Sequence, residues 1–236
     1  METATINVKQ SRFSDADWFE PMQKLPIIVG GVGSIGSWLS LFLARAGAEL
    51  YVYDFDNADE VNLAGQLYGT EHVGQPKTEA IKRVLSNFVG EGNYLAGQFN
   101  NEKYTKDTMS NNIVFSCFDN MEARKVMFEN WVEYCKDSDD EIKLFIDGRL
   151  TAETYEVFFV TPDRIDKYRE TLFSDAEAQD LPCSFKSTSH VAAGIAGAMF
   201  TGLSNHLANH HTGLDIREVP FKIDYSSQLF LMTCHE

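Results

Sequence analysis

Short apolar runs alternate along the chain with longer segments in which apolar residues recur at helical spacing. Residues 25–29 form the first such run, which ends at two glycines, and residues 34–46 follow with a helical pattern that stops at Gly47. We predict further strands at residues 49–54, 94–99, 112–117 and 142–146. We predict further helices at residues 76–89, where a proline occupies the first turn, and 120–136.

This alternation of strands and helices predicts the α/β class, with a Rossmann-like, mostly parallel, doubly wound sheet. Residues 155–161 are expected to form a further strand, antiparallel to the others, and residues 189–210 a long helix. Two strand-like pieces at residues 219–223 and 228–233 predict a short C-terminal β extension. No internal repeat or low-complexity linker interrupts the pattern, so we predict a single domain over residues 1–236.

The composition indicates a folded protein, because 44% of the 236 residues are hydrophobic, which is enough for a sizeable core. The net charge of −15 repels phosphate backbones, so we expect no nucleic-acid partner. A helix terminus and a few local donors can still hold a small phosphate ligand in an acidic protein. The sequence opens without an apolar signal core, and its longest low-polarity run, residues 191–203, is too short for a bilayer. We therefore expect a cytoplasmic protein with no membrane partner.

The cysteines exclude two common frameworks. Four occur, and none belongs to a C-x-x-C pair: Cys117, Cys135, Cys183 and Cys234. Their spacing predicts neither a structural zinc site of paired cysteines nor a disulfide scaffold, which agrees with a reducing cytoplasm.

A glycine-rich segment joins the first predicted strand to the first predicted helix. It reads GVGSIG from Gly31 to Gly36 and fits the pattern G-x-G-x-x-G. Gly31 permits a tight turn, Gly33 lets a phosphate approach the backbone, and Gly36 lets helix and strand pack closely. Backbone N–H groups at the helix start, where Ser34 lies, then face the anion.

An acid follows the second predicted strand, as in dinucleotide-binding folds. The carboxylate of Asp54 is placed there to accept hydrogen bonds from ribose hydroxyls. The combination indicates an adenine nucleotide but leaves two enzyme classes open. One is an NAD(P)-dependent oxidoreductase, and the other is an enzyme that activates a substrate with a nucleotide.

Three downstream motifs resemble those of the ThiF/MoeB/HesA adenylyltransferases and the adenylation domains of ubiquitin-activating enzymes. The segment from Asp54 reads DFDNADEVNLAGQ, the segment ending at Lys77 reads VGQPK, and that ending at Asn120 reads CFDN. The family has D-x-D followed by N-L-x-R-Q, then G-x-x-K, then a D-N pair, and the order and approximate spacing match. The resemblance covers residues 25–125 well and is weaker through residue 210. It implies an ATP-dependent adenylyltransferase whose nucleotide-binding core spans about residues 25–150, with a substrate or dimer lobe at about 151–236.

The chemistry of adenylation accounts for the residue types. A carboxylate oxygen attacks the α-phosphorus of ATP and pyrophosphate leaves, so cations have to meet charge on the phosphate oxygens. The resemblance implies that Lys77 is this cation. It also implies that Asp119 binds a Mg²⁺ ion, which bridges the phosphates. Asn62 is expected to hydrogen-bond a phosphate or the ribose, and Asp56, the second acid of D-x-D, belongs to the same nucleotide site. An oxidoreductase has no need for a lysine and a metal-binding acid at these places.

The sequence departs from the family pattern at one phosphate contact. Gly65 stands where N-L-x-R-Q has an arginine that contacts the triphosphate in the family. Arg149, after a predicted strand, could substitute as a catalytic residue, and Arg12 could be lent to a neighbouring subunit. Ordinary salt bridges are the alternative for both, and in that case the chain is a degenerate member that binds nucleotide poorly.

One cysteine is a candidate nucleophile. Cys183 lies in LPCSFK shortly before the last predicted helix, where ubiquitin-activating relatives carry a cysteine that takes the acyl group as a thioester. The helix N-terminus and Lys186 favour a thiolate there, and an unreactive loop cysteine is the alternative. His206, His210 and His211 read as a polar helix end rather than a metal site, because no acidic or cysteine partner is adjacent.

The resemblance also implies cofactors and partners. We expect ATP and Mg²⁺ as cofactors and no zinc, because the two C-x-x-C pairs of many family members are missing. The expected substrate is the C-terminus of a ubiquitin-like or sulfur-carrier protein, with a peptide or small carboxylate as alternatives. A homodimer is expected. Two other functions stay open: an NAD(P)-dependent oxidoreductase, and a non-catalytic nucleotide- or partner-binding module.

Overall fold

The computed structural model describes residues 13–90, 96–174, 188–211 and 216–236. Eight strands are present there: β1 (Pro26–Gly30), β2 (Glu49–Tyr53), β3 (Gln98–Asn100), β4 (Ile113–Ser116), β5 (Leu144–Thr151), β6 (Thr154–Val160), β7 (Lys222–Ser226) and β8 (Leu231–His235). The α-helices are α1 (Phe19–Lys24), α2 (Ser34–Arg45), α3 (Lys77–Val89), α4 (Met121–Asp137), α5 (Ile165–Arg169) and α6 (Ser189–His211).

All eight strands form one sheet in the order β3-β2-β1-β4-β5-β6-β7-β8. The first five run parallel, and β6, β7 and β8 are added antiparallel at one side. The predicted Rossmann-like sheet with a C-terminal β extension is therefore confirmed. The chain moves outward from β1 through β2 to β3, then returns to place β4 on the other side of β1, so the β1–β4 seam is a topological switch point.

Helices cover both faces because successive side chains of a buried strand point to opposite sides. Ile27 and Val29 face one core, to which α2, α3 and α6 contribute, while Ile28 faces a second core with α4 and α5. Trp131 and Phe145 are fully buried at the centre of that second core. The doubly wound arrangement is confirmed. No helix in the described part of the chain is both long and apolar enough to cross a bilayer.

The structure corrects several predicted boundaries. The short helices α1 and α5 were not predicted, and β7 and β8 each begin three residues later than the sequence pattern indicated. β5 continues five residues past the apolar run that ends at Ile146, because its polar second half pairs with β6 over Asp147–Phe158 to Thr151–Thr154. Pairing with a neighbouring strand, rather than the intrinsic preference of the residues, sets the limits of β5, β7 and β8.

Candidate nucleotide site

The glycine loop crosses the carboxyl edge of the sheet in the conformation that its pattern predicts. Gly31 has φ of 81°, and a Cβ atom added to it would lie 2.9 Å from the carbonyl oxygen of Cys117, at the end of β4. A Cβ on Gly36 would lie 1.9 Å from the carbonyl oxygen of Gly31. A Cβ on Gly33 would approach only the side-chain nitrogen of Gln66, at 3.8 Å. Gly31 and Gly36 are therefore required for packing, whereas Gly33 leaves the outer side of the loop open.

Asp54 holds the glycine loop in place. Its carboxylate is buried at the end of β2, where Oδ2 accepts a hydrogen bond from the Val32 N–H at 2.8 Å and Oδ1 accepts one from the Asp56 N–H at 2.8 Å. Burial raises the pKa of Asp54, while the charge of Lys77 and both N–H groups act in the opposite direction. Each carboxylate oxygen retains a second lone pair, so the ribose contact stays a prediction beside this structural role.

Lys77 begins α3 directly after Pro76 and lies beside the same loop. Its Nζ atom is 2.9 Å from Oδ2 of Asp56, and its backbone N–H donates to the Asp56 carbonyl oxygen at 2.9 Å. The Lys77 side chain is 9% exposed, whereas that of Asp56 is half exposed. The structure thus brings together Asp54, Asp56 and Lys77, as the family motifs predict.

Tyr68 is a member of this site that sequence analysis missed. Its buried hydroxyl donates to the carbonyl oxygen of Val32, 2.5 Å away, and lies 3.5 Å from the carbonyl oxygen of Lys77. It therefore joins the glycine loop to the start of α3. The only signal in the sequence was an aromatic residue two positions after the motif glutamine Gln66.

Asp119 follows β4 on the other side of the switch point. Its side chain is exposed, and Oδ1 lies 3.4 Å from the side-chain nitrogen of Asn120. Asn120 caps α4, because its side-chain oxygen accepts from the Ala123 N–H at 2.8 Å. No group of three or more His, Cys, Asp or Glu side chains in the described ranges is arranged to hold a metal. Magnesium commonly takes one or two carboxylates together with substrate phosphates, so the exposed Asp119 carboxylate fits that ion.

The segment that lacks the family arginine packs against α2. Asn62 ends a one-turn 3-10 helix (Glu60–Asn62) and is half-buried. Gly65 is buried, and its carbonyl oxygen accepts from the indole nitrogen of Trp38 at 3.2 Å. Gln66, next along, places its amide beside Gly33. The phosphate contact of Asn62 stays a prediction.

Arg149 is engaged by other groups. Its Nε donates to Oδ2 of Asp147 at 2.8 Å, and its two terminal nitrogens donate to the carbonyl oxygen and hydroxyl of Thr171 at 3.1 and 3.0 Å. The guanidinium also lies 4.3 Å from the ring centroid of Phe158. The substitution of Arg149 for the missing arginine stays a prediction and requires these bonds to be exchanged. The other candidates, Arg12 and Cys183, lie outside the described residues.

Three other titratable groups are buried to different degrees. Burial raises the pKa of Cys117 far above its usual value and that of Cys135 to about 11, so both remain thiols at neutral pH. Burial lowers the pKa of His206 to about 4, with smaller contributions from His210 and Arg164. The neutral His206 ring is part of the α6 core and lies 4.6 Å from the ring of His210.

Fold and site together define a Rossmann-like nucleotide-binding protein, with a glycine loop and two acidic motifs at the switch point of the sheet. The chain belongs to the ThiF family, whose model matches residues 7–234. The resemblance found in the motifs is thereby confirmed.

Two relatives resemble the chain in sequence, and one solved structure resembles it in fold. It is 28% identical over 171 residues to a molybdopterin-synthase adenylyltransferase of Haemophilus influenzae, with 70% of each chain covered. It is 26% identical over 138 residues to ubiquitin-like modifier-activating enzyme 5 of Dictyostelium discoideum, covering 50% of this chain and 35% of the relative. The structure of Escherichia coli MccB with ATP superposes with a TM-score of 0.67 at 16% identity, covering 93% of this chain and 66% of MccB. The chain therefore spans about a third of the Dictyostelium relative and just under two thirds of MccB.

Proposed function

We propose that this chain is an ATP-dependent adenylyltransferase of the ubiquitin-activating-enzyme-like type, acting in the cytoplasm. The observation that carries the proposal is the convergence at one sheet edge of an open glycine loop, a nearly buried lysine and an exposed acid. Gly33, Lys77 and Asp119 come from three separate segments that the switch point brings to the same edge. Membership of the ThiF family favours this reaction over the oxidoreductase alternative.

The residues divide the work as follows. The N–H groups of the loop at Gly33 and Ser34 bind the phosphates, and Asp54 keeps that loop fixed. Lys77 neutralises charge on the phosphate oxygens when the substrate oxygen bonds to the α-phosphorus and the bond to the leaving pyrophosphate breaks. Asp119 would hold Mg²⁺, which when bound neutralises the triphosphate and its leaving group. Asn62 orients the ribose or a phosphate.

The substrate that we propose is the C-terminal carboxylate of a ubiquitin-like or sulfur-carrier protein. The names of the two relatives, an adenylyltransferase for molybdopterin synthase and an activating enzyme for a ubiquitin-like modifier, support it. A peptide or small carboxylate is the alternative, and a solved structure of MccB with AMPCPP and MccA has a similar fold. We propose that the active form is a homodimer, and that the acyl group passes from AMP to the Cys183 sulfur as a thioester.

One observation favours a second candidate, a nucleotide-binding module without catalysis. Gly65 stands where the family has an arginine that contacts the triphosphate. The guanidinium of Arg149 is hydrogen-bonded to Asp147 and Thr171. If nothing replaces that arginine, ATP binds without productive alignment of its triphosphate.

Exchange of labelled pyrophosphate into ATP tests the proposal. Carrier proteins, peptides and small acids captured with the chain are assayed singly, and exchange is expected with one of them. If exchange is lost in both Lys77→Ala and Asp119→Ala, the roles proposed for Lys77 and Asp119 are supported. If exchange survives in both variants, those roles are wrong. Cys183→Ala is expected to retain exchange and lose the thioester. ATP binding with no exchange for any captured partner supports the non-catalytic module.

A further inference from the structure

Arg124 is a buried arginine close to the loop that carries Asp119. It lies four residues into α4 and is only 5% exposed, although arginine is among the residues least often buried. A cation near the start of a helix is also opposed by the helix dipole. Specific partners must therefore hold its charge at this place.

The guanidinium of Arg124 joins a buried carboxylate to the loop after β4. Its Nε lies 2.7 Å from Oδ1 of the fully buried Asp147, a close ion pair. Its Nη2 donates to the carbonyl oxygen of Phe118 at 2.5 Å and lies 3.3 Å from that of Gly148. One planar group thus contacts β5 and the residue directly before Asp119.

Asp147 has other partners that can hold its charge. Its Oδ2 accepts from Nε of Arg149 at 2.8 Å and from the hydroxyl of Tyr168 at 3.0 Å. Both of these contacts fall on Oδ2, so Oδ1 is left to the ion pair with Arg124. Arg124 therefore has two contacts to account for: it pairs the second carboxylate oxygen, and it also donates to the Phe118 carbonyl beside Asp119.

Asp119 lies between two fixed positions. The carbonyl of Phe118 before it is held by Arg124, and Asn120 after it is held by its cap on the Ala123 N–H. Its own carboxylate is exposed and has one long contact, 3.4 Å from the Asn120 amide. The backbone on both sides of Asp119 is thus restrained, while its carboxylate is exposed.

We propose that Arg124 is a positioning residue that fixes the backbone at Phe118, so that Asp119 meets the magnesium–triphosphate complex in one orientation. This inference rests on the proposed function, which assigns the metal to Asp119. A guanidinium suits the task because its rigid planar group pairs with Asp147 and donates to the Phe118 carbonyl at once, whereas a lysine ammonium is a single point charge. Outer-shell partners of a metal ligand commonly change metal affinity 10–100-fold.

The test is calorimetric binding of ATP, measured with excess Mg²⁺ and again with EDTA. The ratio of the two dissociation constants reports the benefit of the metal and needs no turnover. Wild type is expected to prefer the magnesium complex, Asp119→Ala to lose that preference, and Arg124→Lys to lower it about tenfold. Arg169→Lys is the matched control, because Arg169 pairs with Glu129 farther along α4, at 3.1 Å, and should keep the wild-type ratio.

The outcomes separate the two proposals. A wild-type protein without any magnesium preference overturns the role of Asp119 in the proposed function. A preference that Asp119→Ala removes and Arg124→Lys leaves intact overturns only the positioning role. A merely structural role would lower the melting temperature and leave the ratio unchanged. Should Arg124→Lys fail to fold, Arg124→Gln takes the same test, because it keeps an amide donor and Asp147 retains Arg149.

Discussion

The Nζ atom of Lys77 lies 2.9 Å from Oδ2 of Asp56, so the cation expected to meet the triphosphate is paired with a carboxylate of its own motif region. The Asp56 side of the pair is half exposed, so solvent reaches the carboxylate although Lys77 is nearly buried. A phosphate that approaches from this open side can take the place of the Asp56 carboxylate as the partner of Lys77. The ion pair also holds the Nζ atom of the nearly buried lysine beside Asp56.

Lys77→Ala should lower kcat/KM for pyrophosphate exchange about 100- to 1000-fold, because removing one preorganised donor to the reacting group costs about 3–4 kcal/mol. Lys77→Arg keeps the charge and should fall between this variant and wild type. Exchange rates measured with a substrate that the wild type accepts provide the check. Equal rates for Lys77→Ala and wild type would contradict the assignment.

Asp54→Asn should destabilise the protein by about 1–3 kcal/mol, because the amide nitrogen that replaces one carboxylate oxygen cannot accept, so either the Val32 or the Asp56 N–H loses its acceptor. The hydrogen bond from the Val32 N–H to Asp54, which fixes the glycine loop, is weakened or lost in the same variant, so ATP affinity should fall as well. Urea unfolding and ATP calorimetry measure the two effects. Asp59→Asn, at an exposed acid of the same segment, serves as the control and should change neither.

The three glycines Gly33, Gly36 and Gly197 should respond differently to alanine. Gly36→Ala should lower the melting temperature strongly, because its Cβ would lie 1.9 Å from the Gly31 carbonyl oxygen. Gly197→Ala, in open space on α6, should leave stability unchanged or raise it by up to about 1 kcal/mol. Gly33→Ala should unfold at a higher temperature than Gly36→Ala but lose ATP affinity, because its methyl group would occupy the side that phosphates approach. Unaltered ATP affinity in Gly33→Ala would show that phosphates do not use this loop.

Stability should fall as the pH is lowered from 7 to 5. The folded pKa of His206 is about 4 and its unfolded value about 6.5, so the unfolded state takes up a proton first and is favoured below pH 6.5. The expected loss is about 2 kcal/mol between pH 7 and 5 from this group alone. Urea unfolding at both pH values should show a smaller difference for His206→Leu. His211→Gln, at an exposed ring on the same helix, should behave as wild type.

The fold was predictable where strands are buried on both faces. β1, β2 and β4 read as apolar runs because both of their sides contact a core, and their positions agree within about one residue. β7 and β8 carry mixed polar and apolar residues with partial or full exposure, so their limits depend on the pairing of β7 with β6 and of β8 with β7. The local sequence pattern of β7 and β8 does not indicate which strands they pair with.

The site was predictable where a motif carries its own geometry. The glycine loop, Asp54, Asp56 and Lys77 lie together because the order of motifs fixes which strand each one follows. The contacts of Tyr68 with Val32 and of Arg124 with Asp147 could not be read in this way, because each joins segments that only the folded sheet brings together. A cation near the start of a helix was the one local sign that Arg124 is unusual.

The seam between β1 and β4 has a consequence during synthesis of the chain. Ile27 of β1 and Ile113 of β4 are paired in the sheet but are separated by more than eighty positions in the sequence. The β4 side of the switch point is therefore synthesised long after the β1 side. A nascent chain that has emerged only as far as β3 carries the glycine turn and Lys77 but lacks Asp119. On the proposed function, such an intermediate lacks the acid that would hold magnesium, so we expect ATP to stabilise the chain only after β4 and Asp119 have left the ribosome.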